Sequence, residues 1–409
     1  MNFELPLSGV KVLDLTWHSA GPYCTRLLAD YGADVIKIER PKFGDPSRDI
    51  PTFFSQEHTK ETSSLFMFLN TQKRSLTLNL KDSKGVSILE SLVRESDILV
   101  ENFSPGVMES LGLGYEKLSK INPSLVFTSI TNFGQTGPYK DWLGSDLVLY
   151  GMGGPMLNTG HPDKEPLQIA EYLPSFHVGS TAAAATSVSL WGAESKGIGD
   201  WLDINYFETL MGHIDRRSTA LLNYQYNGVI STRPPIAGSP GSGVWPTSDG
   251  GYFFTTVLAN RFSAMARMIG AEHLLDDPAW ATPAARAVPE RTDEFSAIVI
   301  LWMLEHTKKE IRDEVESAGV YGGPINNIAE LLTDHHFEER AFFQEIDHPL
   351  TGPLTYPGYN FRIRDEDGEK TLPNRTPSPL LGQHTDQILI NELGMTNIAV
   401  EKLRDEGVI

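Results

Sequence analysis

Short apolar runs separated by helical segments dominate the first part of the chain. Residues 10–15 read VKVLDL and residues 35–38 read VIKI, two runs typical of strands that are buried on both faces. Residues 21–30 between them have the spacing of an amphipathic helix, and Gly32 supplies the turn that follows. The pattern predicts a βαβ unit, whose sheet binds ligands beyond the carboxyl ends of its strands.

The same alternation continues to about residue 220, which is the pattern of a doubly wound α/β sheet. Further strands are predicted over 76–80, 98–101 and 125–130, and helices over 83–95, 116–121 and 180–191. The last helix is rich in alanine and follows Gly179, so we expect it to begin there and to pack tightly.

Proline and glycine cluster between residues 224 and 247, which predicts a domain boundary. Beyond it, a strand over 252–257 and helices over 262–269 and 295–305 predict a smaller α+β domain. A proline-rich tail over 348–383 and helical segments near the end follow. The predicted domains are therefore 1–224, 225–329 and 330–409.

Composition and charge narrow the classes of function. The formal net charge of −19 argues against nucleic acid and anionic membranes as partners. The single cysteine, Cys24, excludes an internal disulfide and fits a reducing cytoplasm, where we expect this protein. No basic leader or run of 18 apolar residues is present, and the histidines lack metal-ligand spacing. We expect neither a membrane span nor a metal.

Basic residues stand near two of the predicted strands. Arg40 follows the strand at 35–38, where it is either a nucleotide anchor or an ordinary surface cation. Lys73 and Arg74 stand side by side before the strand at 76–80. Such a pair suits phosphate groups, and a solvated basic pair is the alternative.

Three loops complete the candidate chemistry. Asn102 and Phe103 in ENFSPG follow one strand, and NFGQTGP at 132–138 repeats the arrangement after the next. Glycines in GSPGSG at 238–243 suit either a loop that closes over a site or an interdomain linker. Neither a P-loop nor a dinucleotide fingerprint occurs in its required context, which argues against ATP hydrolysis and hydride transfer.

Six ordered segments together resemble the family III CoA-transferases, a group that includes formyl-CoA and carnitine CoA-transferases and the methylacyl-CoA racemases. The resemblance spans residues 7–409 and implies a Rossmann-like large domain built from both chain ends, a smaller middle domain and an interlocked, ring-like dimer. The segments are LSGVKVLDL, LADYGADVIKIERP, NTQKRSL, ENFSPGVMESLGLGYEKL, INPSLVFTSITNFGQTGP and PSPLLGQHTDQIL.

The resemblance implies that coenzyme A, as free CoA or acyl-CoA, is a substrate. It also implies one missing contact, because Ser110 stands where the formyl-CoA enzyme has a cation. The positions implied to contact CoA are His18, Ser19, Ala20, Arg40, Leu69, Lys73, Arg74, Asn102 and Phe103.

One position departs from the family in a way that bears on catalysis. The family transfers CoA through an aspartate four residues before the glycine that matches Gly179, and this chain has Ser175 there. An aspartyl anhydride and an aspartyl thioester retain the free energy of the acyl thioester, whereas a serine ester loses it. His177 is a weak candidate base for Ser175. The racemase pattern is also incomplete, because Ser145 and Ser175 replace its histidine and acidic partner.

Three hypotheses follow from the resemblance. The leading one is the aspartate-lacking subunit of a heteromeric enzyme, similar to succinyl-CoA:benzylsuccinate CoA-transferase, whose homologous partner chain carries the aspartate. No catalytic nucleophile is then assigned to this chain. The second is a homodimeric acyl-CoA enzyme that uses Glu171, Asp146 or His18 for proton transfer. The third is a noncatalytic CoA-binding protein.

Overall fold

The computed structural model describes residues 4–54, 59–213, 217–230, 233, 240–366 and 368–409. The described residues form two compact units, the first within the ranges 1–157, 168–231 and 341–409, and the second within 158–167 and 232–340. The predicted domains have the same order along the chain. Residues 158–167 belong to the second unit, which no local pattern of residues indicates.

A parallel sheet forms the centre of the first unit. Its strands are β1 (Lys11–Asp14), β2 (Asp34–Glu39), β3 (Lys73–Thr77), β4 (Ile98–Glu101), β5 (Val126–Thr131) and β6 (Trp201–Asn205). The six described strands lie in the order β3-β2-β1-β4-β5-β6. Because the order reverses between β1 and β4, their carboxyl ends open a crevice. The predicted α/β class is confirmed, and the interlocked dimer stays a prediction.

Both faces of this sheet are buried, as its apolar strands require. Leu13 and Ile36 belong to one core cluster, whereas Val12 and Val35 belong to another, because successive side chains of a strand point to opposite faces. Cys24 is buried in the second cluster, where burial raises the pKa of its thiol. The helices of this part are α1 (Ala20–Asp30), α2 (Ser64–Leu69), α3 (Ser83–Val93), α4 (Val107–Ser110), α5 (Tyr115–Ile121), α6 (Asp146–Met152), α7 (Leu173–Lys196), α8 (Tyr206–His213) and α9 (Arg217–Asn227).

Helix α7 differs from its prediction. It begins at Leu173 and includes Gly179, which we expected to precede it. A Cβ atom at position 179 would lie 2.5 Å from the carbonyl oxygen of Ala20. Glycine is therefore needed at this position because α1 and α7 approach each other closely, and it does not mark the start of the helix. None of the described helices has the length and apolar character needed to cross a membrane.

The second unit combines a small antiparallel sheet with helices. Phe262, Trp280 and Phe295 form the aromatic part of its core. The strands β7 (Gly243–Pro246), β8 (Tyr252–Thr256) and β9 (Tyr321–Ile325) lie in that order. The helices are α10 (Phe262–Met268), α11 (Pro283–Arg286), α12 (Pro289–Glu305), α13 (Lys308–Ala318), α14 (Ile328–Leu332) and α15 (His335–Glu339).

The last part of the chain returns to the first unit. Arg375 forms a buried, two-pronged ion pair with Asp30, at 2.8 Å for each nitrogen–oxygen contact. The elements here are β10 (Phe343–His348), β11 (Gly352–Pro357), β12 (Arg364–Asp365), β13 (Gly368–Glu369), α16 (Thr385–Gln387), a π-helix (Ile388–Glu392) and α17 (Asn397–Asp405).

A buried group of charges joins the first three strands. The Lys73 ammonium donates to Asp14 at 2.9 Å and also to Pro22, Thr25 and Asn70. Burial alone would raise the pKa of Asp14, but Lys37, Lys73 and two threonine hydroxyls together hold it at about 2. The Lys73 ammonium therefore uses its hydrogen bonds within the protein interior and is not directed toward a ligand.

The predicted Lys73–Arg74 phosphate pair does not form. Both residues lie within β3, so their side chains point to opposite faces of the sheet. Lys73 is buried, whereas Arg74 pairs with Asp34 and Glu392 nearer the surface. The strand predicted at 76–80 begins three residues later than β3, which leaves both residues in a predicted loop.

We predict that Lys73→Met lowers the free energy of unfolding by about 3–5 kcal/mol, because it removes the nearest cation of the buried Asp14 carboxylate and leaves Lys37, at 3.8 Å, as the neighbouring one. Arg74→Met is the matched control, and we expect it to cost less than about 1 kcal/mol because its ion pairs are partly exposed. Urea denaturation of the two variants measures the difference. Equal losses would contradict the structural role of Lys73.

Candidate active site

A cavity of about 1710 Å³ lies at the carboxyl edge of the parallel sheet, within the first unit. It lies at the crevice where the strand order reverses, as expected for an open α/β sheet. It is larger than the cavities that hold most drug-sized ligands. The segments that line it after successive strands include 17–20, 40–43, 78–81, 102–105 and 130–132.

Asn102 joins the loops that follow β1 and β4. Its side-chain oxygen accepts the backbone N–H of Trp17 at 2.8 Å, and its amide nitrogen donates to the Trp17 carbonyl at 2.8 Å. The Phe103 ring meets the Trp17 ring edge-on, with centroids 5.1 Å apart. Asn102 and Phe103 both line the cavity, and the Asn102 amide holds its wall together across the crevice.

Cations gather on the loops that follow β2 and β3. Arg40 lines the cavity, and its guanidinium lies 4.4 Å from the centre of the Trp17 ring. Lys42 and Lys81 line the same cavity, and so does Lys140 on the loop after β5. These lysines are not among the predicted contacts, although Lys81 directly follows the strand predicted at 76–80. This arrangement suits a polyanionic ligand.

The segment between β1 and α1 brings three predicted contacts to the wall. His18, Ser19 and Ala20 all line the cavity. His18 has a positive φ of 66°, and its backbone N–H donates to the buried Asp45 at 3.0 Å. Helix α1 begins at Ala20, and the Ser19 side chain does not cap it. The N-terminal end of α1 therefore lies at the cavity, where a helix favours negative charge.

Three of the predicted CoA contacts are not brought to this wall. In the part of the chain that the structure describes, Leu69, Lys73 and Arg74 are not among the lining residues. Leu69 is fully buried at the end of α2, Lys73 is held by its interior partners, and Arg74 is held by surface carboxylates. The resemblance alone predicts Leu69 as a contact, whereas the adjacent charges of Lys73 and Arg74 also predict a phosphate pair.

Ser175 is buried behind the wall, in the first turn of α7. Its hydroxyl lies 2.9 Å from each carboxylate oxygen of Asp146 and donates to that group. It accepts a hydrogen bond from the Ser19 hydroxyl at 2.8 Å and lies 2.9 Å from the Tyr206 hydroxyl. The proposed His177 base faces another direction, because residues two apart on a helix do not share a face.

Asp146, the first residue of α6, places a carboxylate on the cavity wall, in contact with Ser175. Burial raises its pKa, and the nearby Glu171 raises it further, while hydrogen bonds from Ser175 act in the opposite direction. Glu171 also lines the cavity. Asp146 and Glu171 are the acidic candidates for proton transfer. The carboxylate of Asp146 is held on the wall by its hydrogen bonds from Ser175.

The remaining predictions concern Asn132, Ser110, the glycine loop at 238–243 and metal binding. Asn132 lines the cavity, as expected from its strand end, and Ser110 also lines it. Residues 238 and 239 of the glycine loop lie outside the described residues, and Gly241 and Gly243 belong to the second unit. Within the described residues, no group of three or more histidine, cysteine or acidic side chains is arranged to hold a metal.

Comparison with known proteins gives the family. The model of "CoA-transferase family III" matches residues 7–385. Succinyl-CoA–D-citramalate CoA-transferase of Chloroflexus aurantiacus is 32% identical over 99% of this chain and 98% of its own length. Succinate–glutarate CoA-transferase of Agrobacterium fabrum is 33% identical over 95% and 96%. A CAIB/BAIF family structure from Brucella suis has a TM-score of 0.82 and 32% identity, covering 95% of this chain and 100% of that one. The chain therefore belongs to CoA-transferase family III.

Proposed function

We propose that this chain binds acyl-CoA in the cavity and serves in CoA transfer between carboxylic acids, as one subunit of a heteromer. A homologous partner chain supplies the catalytic aspartate. The observation that carries the proposal is the environment of Ser175, whose buried hydroxyl is fully engaged by Asp146, Ser19 and Tyr206. A hydroxyl buried behind the cavity wall is not placed to attack a substrate bound in the cavity.

The cation-lined part of the cavity supports CoA as the ligand. Arg40, Lys42 and Lys81 offer positive charge to the phosphates of the nucleotide, although the chain as a whole carries a net charge of −19. The Trp17 ring, already stacked beneath Arg40, adds an aromatic surface beside those cations. The cavity is long enough along the strand ends to meet loops from five strands.

Dicarboxylic acids are the proposed substrates, one as the acyl-CoA that donates CoA and the other as the acid that accepts it. The names of two similar enzymes specify succinyl-CoA with citramalate and succinate with glutarate. Aromatic residues on the cavity wall support an aryl-substituted acceptor such as benzylsuccinate. They include Trp17, Phe103, Trp142, Tyr150 and Tyr172.

In a heteromer, one subunit can supply the catalytic residue while the other contributes to substrate binding. If the two subunits form the interlocked dimer of the family, each site draws on both chains. Loss of the aspartate from one chain then leaves the partner's site intact. The chain described here retains the cations and the aromatic wall, which suits a binding and assembly role beside a catalytic partner.

We predict that Arg40→Gln raises the dissociation constant for CoA roughly 10- to 100-fold, because it removes a charge-assisted contact worth about 1.5–3 kcal/mol. Isothermal titration with CoA measures the change. Arg94→Gln, an exposed arginine at the end of α3, is the control with unchanged affinity. Equal binding by both variants would contradict the proposed nucleotide site.

We predict that the purified single chain does not transfer CoA from succinyl-CoA to glutarate or benzylsuccinate, and that Ser175→Asp gives it this activity. The aspartate provides a carboxylate that can form the anhydride and thioester intermediates. Chromatographic detection of the new acyl-CoA measures transfer. Ser175→Asn, which adds similar bulk without a carboxylate, is the inactive control.

Turnover by the unmodified single chain would contradict the heteromeric proposal. So would a folded Ser175→Asp variant that binds acyl-CoA but transfers nothing. The partner itself is sought by purifying the tagged chain from its native cells. The expected co-purifying protein is a homologous chain with aspartate at the position equivalent to Ser175.

A further inference from the structure

A buried carboxyl group lies directly before the part of the cavity wall that follows β4. It belongs to Glu101, the last residue of β4, which is only 3% exposed. One of its oxygens accepts the backbone N–H of Phe103 at 2.8 Å. Among the described residues, the charged groups that act on it most strongly are Glu109 and Asp203, and both are acidic. Glu101 is therefore a buried acid whose strongest charged neighbours have the same sign.

Hydrogen bonds hold the Glu101 carboxyl group in either protonation state. The Ser129 hydroxyl accepts the indole N–H of Trp201 at 3.0 Å, so its single proton is available for its hydrogen bond with Glu101. A protonated carboxyl group keeps an oxygen that can accept, so the contact with the Phe103 N–H persists after protonation. The turn that brings Asn102 and Phe103 to the cavity wall therefore depends on the Glu101 side chain.

Positive charge along the cavity lies on both sides of β4. Arg40 and Lys42 follow β2, and Lys81 follows β3. Lys140 lies on the loop after β5. Because β4 lies between β1 and β5 in the sheet, a polyanion that contacts both groups of cations must pass the carboxyl end of β4. The segment 102–111, which supplies that part of the wall, contains no lysine or arginine.

We propose that Glu101 is a positioning residue of the acyl-CoA site, whose carboxyl group fixes the turn of Asn102 and Phe103 and takes up a proton when CoA binds. Negative charge brought to the end of β4 makes the ionised form of a buried carboxyl group less favourable. The proton comes from solvent and returns to solvent when CoA leaves. CoA affinity is therefore linked to pH through a side chain that does not line the cavity.

The surroundings of Glu101 place its titration near neutral pH. Burial, together with Glu109 on α4 and Asp203 on β6, raises its pKa to about 7. The hydrogen bonds from Ser129 on β5 and from the Phe103 N–H act in the opposite direction. Glu101 of the free protein is therefore mainly protonated at pH 6 and mainly ionised at pH 8. Because CoA favours the protonated form, its affinity should fall as the pH rises between these values.

The test is isothermal titration of the full chain with CoA at pH 6, 7 and 8, and it rests on the CoA binding of the proposed function. Glu101→Gln keeps an oxygen for the Phe103 N–H but cannot ionise. We expect this variant to bind CoA about 3- to 10-fold more tightly than the unmodified chain at pH 8, and equally at pH 6. The phosphates of CoA and the His18 side chain are common to both titrations, so the difference belongs to Glu101.

Two further measurements separate proton uptake from positioning. Titrations at pH 7 in buffers of different ionisation enthalpy count protons, and the unmodified chain should take up as much as about half a proton more per CoA than Glu101→Gln. Glu101→Ala is also uncharged but leaves the Phe103 N–H without its acceptor. We expect it to bind CoA about 5- to 10-fold more weakly than Glu101→Gln at pH 6 and at pH 8. Glu116→Gln removes an exposed carboxylate on α5 and keeps the pH dependence of the unmodified chain.

Each contrary result has a separate meaning. The same pH dependence and proton uptake in the unmodified chain and in Glu101→Gln overturn the proton linkage. Equal CoA affinity of the folded Glu101→Gln and Glu101→Ala variants overturns the positioning role. Weaker binding by Glu101→Gln than by the unmodified chain at every pH also overturns the inference, because the turn then requires the ionised carboxylate. Absence of CoA binding by the unmodified chain at every pH contradicts the proposed function itself, and the inference with it.

Discussion

The buried charges beneath the carboxyl edge of the sheet are the constraint on which the cavity depends. Asp14 on β1 contacts Lys73 on β3, and Lys37 on β2 contacts Asp45 at 2.9 Å in the loop that follows. Buried charges are tolerated only when paired, so these contacts hold three strands and their loops in one arrangement. Asp45 in turn accepts the backbone N–H of His18, which places the segment before α1 at the cavity.

Ser175, which stands where the resemblance implies the aspartate of the family, lies beside another carboxylate. Asp146 approaches from α6 and accepts the hydroxyl proton of Ser175, so negative charge remains at the start of α7. A short hydroxyl buried behind the wall is not placed to carry an acyl group between thiol and acid.

Much of the site was predictable because apolar runs in the sequence show where buried strands end. The apolar runs placed β1, β2, β4 and β5 within a residue or so of their observed bounds, and Arg40, Asn102 and Phe103 followed directly. Polar strands are harder to recognise. Lys73 and Arg74 lie inside β3 because Lys73 has interior partners in α1 and the α2–β3 loop, a pairing that no local pattern reveals.

The sequence by itself determined the α/β class, the family and the cationic strand end, because hydrophobic periodicity and ordered motifs are local properties of the chain. Tertiary structure alone decided that Lys73 is interior, that residues 158–167 join the second unit, and that Asp146 meets Ser175. These outcomes depend on contacts between residues far apart in the chain. Their energies come from desolvation and pairing, which exist only once the elements have packed together.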